Sequence, residues 1–467
     1  MLPLSRALSS RYLALVAFVA GLANAQTPSP RRTVAPEATT AHGRAVANVA
    51  AARRLPPPTW PQAFLIVSGF DQAGDDGGGR FVWDATSTAL DDTGLVLKPD
   101  RISASMPGRW LRQRDDPSLV CPLWYGAKRD GTDPSGTRVA LQAAFDAVGQ
   151  NHGRKVYLPA GRYTIEAPLI VSGSPITIVG AGVPTAGAPG RAQADGTIIE
   201  AARPMPAVID VVGSPTELEL ASMRIDGAST ATSGLRISQS LTVRSRIVNV
   251  RVEGAIDRQL DVQGQMIGVM ADDLHLLGGN YGMWVASSGN LNGASFRQLR
   301  ITNTVVAFYY RNTTGGFRNF SFFNPTIEGN REQAIDARGG MDLKVFGGWF
   351  ECNNRTNPDP DGAIELGGYQ VSPTSWNRSQ VSFFGTYFNH HSSAGGSCNP
   401  ANGPLIKARE RAVHVHFSSA SPPNSARIEF PPGTGSGSRV WVSMVAASPP
   451  VVSGLAPGQV QVFPPQS

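Results

Sequence analysis

The 467-residue sequence predicts an all-β solenoid, a parallel β-helix in which successive turns of chain stack on one another. Three observations carry this. Seven short segments recur: MRIDG (223–227), VRVEG (250–254), LHLLG (274–278), LRITN (299–303), PTIEG (325–329), GWFEC (348–352) and TYFNH (386–390). The position after each central apolar residue, namely Asp226, Glu253, Leu277, Thr302, Glu328, Glu351 and Asn389, returns after 27, 24, 25, 26, 23 and 38 residues. Each segment alternates apolar and polar residues with a period of two, the signature of a half-buried strand, and lacks the i, i+3, i+4 spacing of a helical repeat. A second series keeps the same rhythm: GLRIS (234–238), QLDVQ (259–263), GMWVA (282–286), AFYYR (307–311), AIDAR (334–338) and AIELG (363–367). Stacked coils of this kind lie about 4.8 Å apart.

Residues 1–25 read as a cleavable secretory signal, with Arg6 and Arg11, the apolar run 12–23 and a small-residue site ending at Ala25. A secreted or periplasmic protein is therefore expected. The apolar run falls short of the roughly 20 residues that a membrane span needs, and no other segment is long enough. Residues 26–60, rich in Ala, Pro, Thr and Arg, read as a disordered linker. The signal and linker arginines account for the formal charge of +6, leaving the remaining body near neutrality, so the pI of 9.4 is no argument for nucleic acid. Three cysteines, Cys121, Cys352 and Cys398, are too few for a disulfide scaffold. One bond, Cys352 with Cys398, is expected, because Cys398 lies in the long loop beside the coil that follows Cys352. No CxxC or HExxH occurs, so neither a metal nor any other cofactor is expected. The stretch NPDPDG (357–362) resembles a calcium loop, which keeps calcium as the alternative, although it lacks the 12-residue pattern ending in Glu.

Residues 61–118 hold short apolar runs separated by Gly and Asp turns, a small β domain. The solenoid is expected over 119–430. It opens with a short helix that Thr137 caps and that presents Leu141, Ala144 and Phe145 as a lid over the first coil. Residues 431–467 read as a Pro- and Gly-rich tail with one or two strands.

The succession YGAKRDG, Asp133, ALQAAFDA, VYLPAGRYTI and ITIVGAG resembles the start of the pectate-lyase-like superfamily of right-handed, single-stranded parallel β-helices, which includes rhamnogalacturonases, epimerases and tailspikes. The preceding GDDGGGRFVWD and GRW are similar to the module that precedes such helices in phage tailspikes. The resemblance implies carbohydrate chemistry and, as in some tailspikes, a homotrimer. The paired-Asp, Gly-His-Gly and Arg-x-Lys pattern of polygalacturonases is absent from the sequence, which argues against ordinary pectin hydrolysis.

Side chains on one strand face form columns along the solenoid. Beside the column from Asp226 to Asn389 runs a second, formed by Arg224, Arg251, His275, Arg300, Thr326, Trp349 and Tyr387. The other series presents Arg236, Asp261, Trp284, Tyr309, Asp336 and Glu365, flanked by Ser238, Gln263, Ala286, Arg311, Arg338 and Gly367. Glu328, Glu351, Asp336 and Glu365 are the candidate catalytic acids, since glycoside cleavage needs one carboxyl to protonate the leaving oxygen and another as nucleophile or base. Carboxyls about 5–5.5 Å apart suit retaining enzymes and roughly 6.5–9.5 Å inverting ones; one-coil spacing fits the first. Trp284, Tyr309, Trp349 and Tyr387 are candidates to stack on sugar rings, and Arg311 and Arg338 to hold acidic groups. The column of Arg224, Arg251 and Arg300 favours an anionic partner, unless Asp226 and Glu253 neutralise it. The leading expectation is a glycoside hydrolase. The alternatives are a lyase acting on an acidic glycan, with Lys344, His275 or Arg338 as base, and a non-catalytic glycan-binding or adhesin-like β-helix. Asn330 and Asn353 read as a structural ladder of turn asparagines, and His390 with His391 as an exposed loop pair.

Overall fold

The computed structural model describes residues 43–467 apart from 61, 149–153, 185–194, 287, 313–317, 355–361, 373–374, 390–403, 419–426, 444–449 and 464–467. Parallel coils form the body. An 11-stranded sheet, here the front sheet, contains the second series, including Ala231–Ile237, Arg258–Val262, Tyr281–Val285, Val306–Asn312, Ile335–Gly339 and Ile364–Gly367. A 19-stranded sheet contains the first series. Parallel neighbours cannot be joined by a hairpin, so each strand reaches its partner only after the chain has traversed the rest of a coil, the right-handed crossover that strand twist favours.

The larger sheet is bent into two limbs, which the repeat pattern alone did not reveal. Leu218–Asp226, Arg246–Glu253 and Met270–Leu277 each pass through one left-handed residue, Ser222 (φ 55°), Asn249 (51°) and Asp273 (51°). Gln298 (50°) and Asn324 (48°) continue that column between separate short strands. One positive φ per coil turns the chain so that a proximal limb precedes the bend and a distal limb follows it. Short polar side chains such as Asn and Asp tolerate this conformation best. The apolar-polar-Gly ending of the repeats is a second left-handed turn, as at Gly254, Gly278 and Gly329.

Inward columns fill the solenoid. Val250, Val252, Leu274, Leu276, Ile301, Ile327 and Phe350 are buried on the distal limb, and Phe308, Tyr310, Phe320, Phe322, Phe383 and Phe417 thicken the core of the later coils. Asn330 and Asn353 form the expected ladder inside the wall. The Asn330 amide donates to Asn353 Oδ1 at 2.6 Å, Asn353 donates to the Ile327 carbonyl at 2.9 Å, and Thr304 donates to Asn330 Oδ1 at 2.7 Å. Neither asparagine is left-handed, so their role is to bond carbonyls of the preceding coil rather than to close a turn.

The lid is the helix Pro134–Ala147, which buries Ala140, Leu141, Ala144 and Phe145. Its cap is Asp133, not Thr137: Asp133 is left-handed and accepts from the Gly136 amide, whereas Thr137 is fully buried one turn in and accepts from the Lys128 amide. The small domain also begins earlier than expected. Gly43–Val46 adds an edge strand to its five-stranded sheet and Val49–Arg54 is helical, capped by Asn48, so the disordered-linker expectation fails for 43–54. Alanine-rich composition suggested a linker, but Val49 and Ala52, spaced i and i+3, are buried. At the other end, Arg439–Ser443, Val451–Ser453 and Val460–Phe463 pair in parallel register with the preceding coils. The expected tail therefore continues the solenoid; three short strands were hidden by Pro and Gly between them.

Cys352 is disulfide-bonded and Cys121 is free and buried. The expected partner Cys398, the calcium-like residues 357–361, His390, His391 and the signal all lie outside the described residues. Among the described residues no helix is long and apolar enough to cross a membrane.

Candidate functional site

The expected columns are register columns. Asp226, Glu253, Leu277, Thr302, Glu328, Glu351 and Asn389 pair coil by coil, as do Arg224, Arg251, His275, Arg300, Thr326, Trp349 and Tyr387. On the front sheet Arg236, Asp261, Trp284, Tyr309, Asp336 and Glu365 do the same. The two acid pairs sit in different electrostatic settings.

On the front sheet the acids are caged. Asp336, 8 % exposed, accepts from Arg311 at 2.5 Å and has Arg338 3.8 Å from its other oxygen. Glu365, 2 % exposed, is bonded by Arg409 and lies 3.9 Å from Arg338. Both carboxylates are thus taken up by guanidinium groups of their own and neighbouring coils, which leaves neither free to act on a substrate. The aromatic residues of this column cannot act as sugar platforms either. Trp284 and Tyr309 stack on each other, with centroids 4.3 Å apart and planes within 10°. Arg258 covers the other face of Trp284 from the preceding coil at 4.1 Å, and Arg311 covers the other face of Tyr309 at 4.1 Å. The result is a cation–π tower, Arg258–Trp284–Tyr309–Arg311, with Tyr281 edge-on to both rings. A ring that stacks in register with its own neighbours has no face left for a ligand. Sequence reasoning missed Arg258 and Arg409 as covering groups, because one stands at a strand start and the other in the turn after Ile406–Ala408.

The distal limb is open. Glu328 is exposed, and among the described residues its carboxylate has no hydrogen-bond or ion-pair partner. Glu351, its register neighbour, is half-buried and accepts from the Trp349 indole N–H at 2.5 Å. Trp349 is 39 % and Tyr387 43 % exposed; their rings are tilted by 36° with centroids 4.5 Å apart. On the preceding coil the neighbour of Trp349 is Thr326, a short side chain, so Trp349 stands above its column on that side. Two coils before Trp349 lies Arg300, and three before it His275, whose Nε2 is 3.0 Å from Thr302 Oγ1. Burial, then the charges of Arg251 and Arg300, push the His275 imidazole down to about 4, so it is neutral at pH 7. Of the other expected bases, Lys344 is tied to Asp342 at 2.8 Å and to Asn319 at 3.2 Å, and Arg338 lies between Asp336 and Glu365.

Thus the structure brings Glu328, Glu351, Trp349 and Tyr387 together on one accessible face, and locks Asp336, Glu365, Trp284, Tyr309, Arg311 and Arg338 into a separate structural network. No group of three or more His, Cys, Asp or Glu suited to a metal occurs among the described residues. Two cavities, of about 260 Å³ by Pro57, Trp60 and Trp110 and about 220 Å³ by Phe70, Leu123 and Lys128, lie at the small domain and its junction and are not lined by any column residue.

A solenoid of parallel coils with short-strand faces, closed by a helix at its first coil, defines a parallel β-helix protein. Residues 124–331 match the family described as rhamnogalacturonase A/epimerase, pectate lyase-like, and residues 45–115 match the phage tail protein small four-stranded beta-sheet domain. Over residues 124–331 the chain is thus similar to pectate-lyase-like proteins. No curated protein sequence matches it. Among solved structures, the enzymatically active domain of bacteriophage CBA120 tailspike protein 2 aligns with a TM-score of 0.54 and 14% identity, over 89% of this chain and 55% of that one. Full-length tailspike protein 2 from an Escherichia coli O157:H7 bacteriophage gives 0.53 and 13%, over 80% and 51%. The tailspike of Acinetobacter phage vB_ApiP_P1 gives 0.52 and 12%, over 91% and 73%. The chain thus spans about half the length of the first two, and at these identities the likeness is one of fold.

Proposed function

We propose that the protein is a carbohydrate-active enzyme that cleaves a polysaccharide laid along the distal limb, acting as a glycoside hydrolase through Glu328 and Glu351. One observation carries this reading: two carboxylates on adjacent coils, one open to solvent and one held by an indole N–H, stand beside an exposed tryptophan. The likeness to a tailspike domain described as enzymatically active adds support at the level of fold. The indole bond from Trp349 fixes the orientation of Glu351 as an acceptor, which suits it to attack the anomeric carbon. Glu328, in its protonated form, gives its proton to the departing glycosidic oxygen and then takes one from the water that releases the sugar from Glu351. A sugar face stacks on Trp349.

The test is incubation with a panel of neutral and acidic polysaccharides, following reducing ends and unsaturated-product absorbance together. Reducing ends without unsaturation are expected, and E328Q and E351Q should each lower kcat by about 10²–10⁴-fold with binding retained. Full activity in both variants would remove these residues from the mechanism. Unsaturated products would replace hydrolysis by elimination, and binding with no product would leave a glycan-binding β-helix.

A further inference from the structure

The arginine column predicted a run of cations for an anionic partner, and the structure breaks that run. Arg224 bonds Asp226 and lies 2.5 Å from Glu253, and Arg251 bonds Glu253, so two guanidinium groups face two carboxylates and no positive charge is left over. His275, the next member, is neutral and bonded to Thr302. Arg300 differs from all of these. Its side chain is 55 % exposed, and its described ion pair is a 3.8 Å approach to Asp273, itself 43 % exposed, a contact too long to be a hydrogen bond.

Arg300 also has a defined place relative to the carboxylate pair. It shares a column with Trp349, separated by the single coil that carries Thr326. Beside it Thr302 is the register neighbour of Glu328. Between the guanidinium and the indole, the floor of this strip is therefore made of short, uncharged side chains, Thr302 and Thr326, with Glu328 and Glu351 along one edge. Among the described residues Arg300 forms no ion pair with Glu328, so neither group neutralises the other. A glycan chain lying along the strip, with one ring on Trp349, passes over Arg300 about two coils, or roughly 10 Å, further on.

We propose that Arg300 is the specificity-determining residue of this face, binding an anionic group of the glycan, a carboxylate or an ester-linked sulfate or phosphate, about two coils from the ring held on Trp349. The assignment rests on the reading of the distal limb as the cleavage face. A guanidinium presents parallel N–H donors to such an oxyanion, which an ammonium does not reproduce. Because the remaining column cations are paired, recognition is confined to one coil, and a neutral sugar is tolerated elsewhere along the strip.

The experiment uses the full mature chain carrying E351Q, so that binding is read without turnover, on an array containing neutral, uronate-bearing, sulfated and phosphorylated glycans. Acidic glycans should be bound, R300Q should weaken that binding by at least about tenfold, and R300K should restore only part of it. The preferred array class separates carboxylate from sulfate or phosphate esters. Binding confined to neutral glycans, acidic binding unchanged by R300Q, or no binding at all each overturns the proposal. Cleavage by the wild-type chain is scored separately on the panel above: cleavage of a neutral glycan sinks the anion site and leaves the cleavage face standing, whereas loss of the cleavage reading shows as full activity in E328Q and E351Q.

Discussion

His275 shows how one side chain records its column. The imidazole stands between Arg251 and Arg300 in register, and burial with these two charges holds its proton affinity far below the ordinary 6.5, at about 4, with Asp273 acting in the opposite sense. In the unfolded chain it takes up a proton near pH 6.5, while in the folded chain it does so only near 4. Between these values the unfolded state binds more protons, so this residue's contribution to stability is fully present above 6.5 and is lost as the pH falls towards 4. His414 and His416 are shifted in the same direction, chiefly by burial. Urea midpoints measured at pH 7, 5.5 and 4.5 should fall with pH in the wild type, and less steeply in H275Q. Parallel slopes in the two proteins would show that His275 is not the group responsible.

At the scale of an element, the front-sheet column is a stabilising device assembled from residues that were attractive as a catalytic set. Arg258, Trp284, Tyr309 and Arg311 stack in order, and Arg311 then passes its charge to Asp336 while Arg409 holds Glu365. Each coil thereby supplies the partner of the next, the sheet equivalent of a cross-strand pair. Replacing Asp336 by Asn strips a buried charge partner from Arg311 and should cost about 2–4 kcal/mol in unfolding free energy, with kcat on any accepted glycan unchanged. Denaturant unfolding and turnover of D336N, measured side by side, check this; loss of turnover at native stability would return Asp336 to the mechanism. The distal limb has no such tower. Its exposed Trp349 has only the short Thr326 before it on the preceding coil, and Tyr387 follows Trp349 on the next.

For the whole molecule, one residue contributes strongly to joining the small domain to the solenoid. Arg112, 8 % exposed, donates to the carbonyls of Gly94 at 2.6 Å, Gly78 at 2.6 Å and Gly77 at 3.0 Å, and its guanidinium lies over Phe81 on one side and Trp124 of the first coil on the other. Burial lowers its proton affinity to about 10, still leaving it charged at neutral pH. Lys128 to Asp71 and Arg129 to Asp76, each 2.5 Å, add exposed pairs across the same junction. R112M leaves three carbonyls without their donor and should destabilise the chain by about 3 kcal/mol or more, with R112K a poor substitute because it lacks the planar fork. A shift of the urea midpoint in R112M and increased protease cutting near residues 113–118 are the expected readouts; an unchanged midpoint would remove Arg112 as a clamp.

Most of the architecture was legible in the residues. The interval of 23–27, the alternation within each segment and the two parallel series were enough to place every column position in the register observed from Asp226 to Glu351 and from Arg236 to Glu365. A period-two pattern fixes which side chains face outward, and stacking at a constant rise fixes which of them become neighbours. The same pattern did not show the bend between limbs, because a single left-handed residue such as Asn249 or Asp273 interrupts a run without changing its composition. Nor did it separate the acid pairs. Whether a carboxylate is caged or open depends on where the long arginine side chains from neighbouring coils and turns, Arg258, Arg311 and Arg409, finally rest. The fold and the order of the columns could therefore be read from the residues, since strand periodicity and coil spacing are backbone properties. That Glu328 stands open to solvent and Glu351 rests on the Trp349 indole while Asp336 and Glu365 are enclosed came from the folded chain, because side-chain ion pairing acts between coils more than twenty residues apart in sequence.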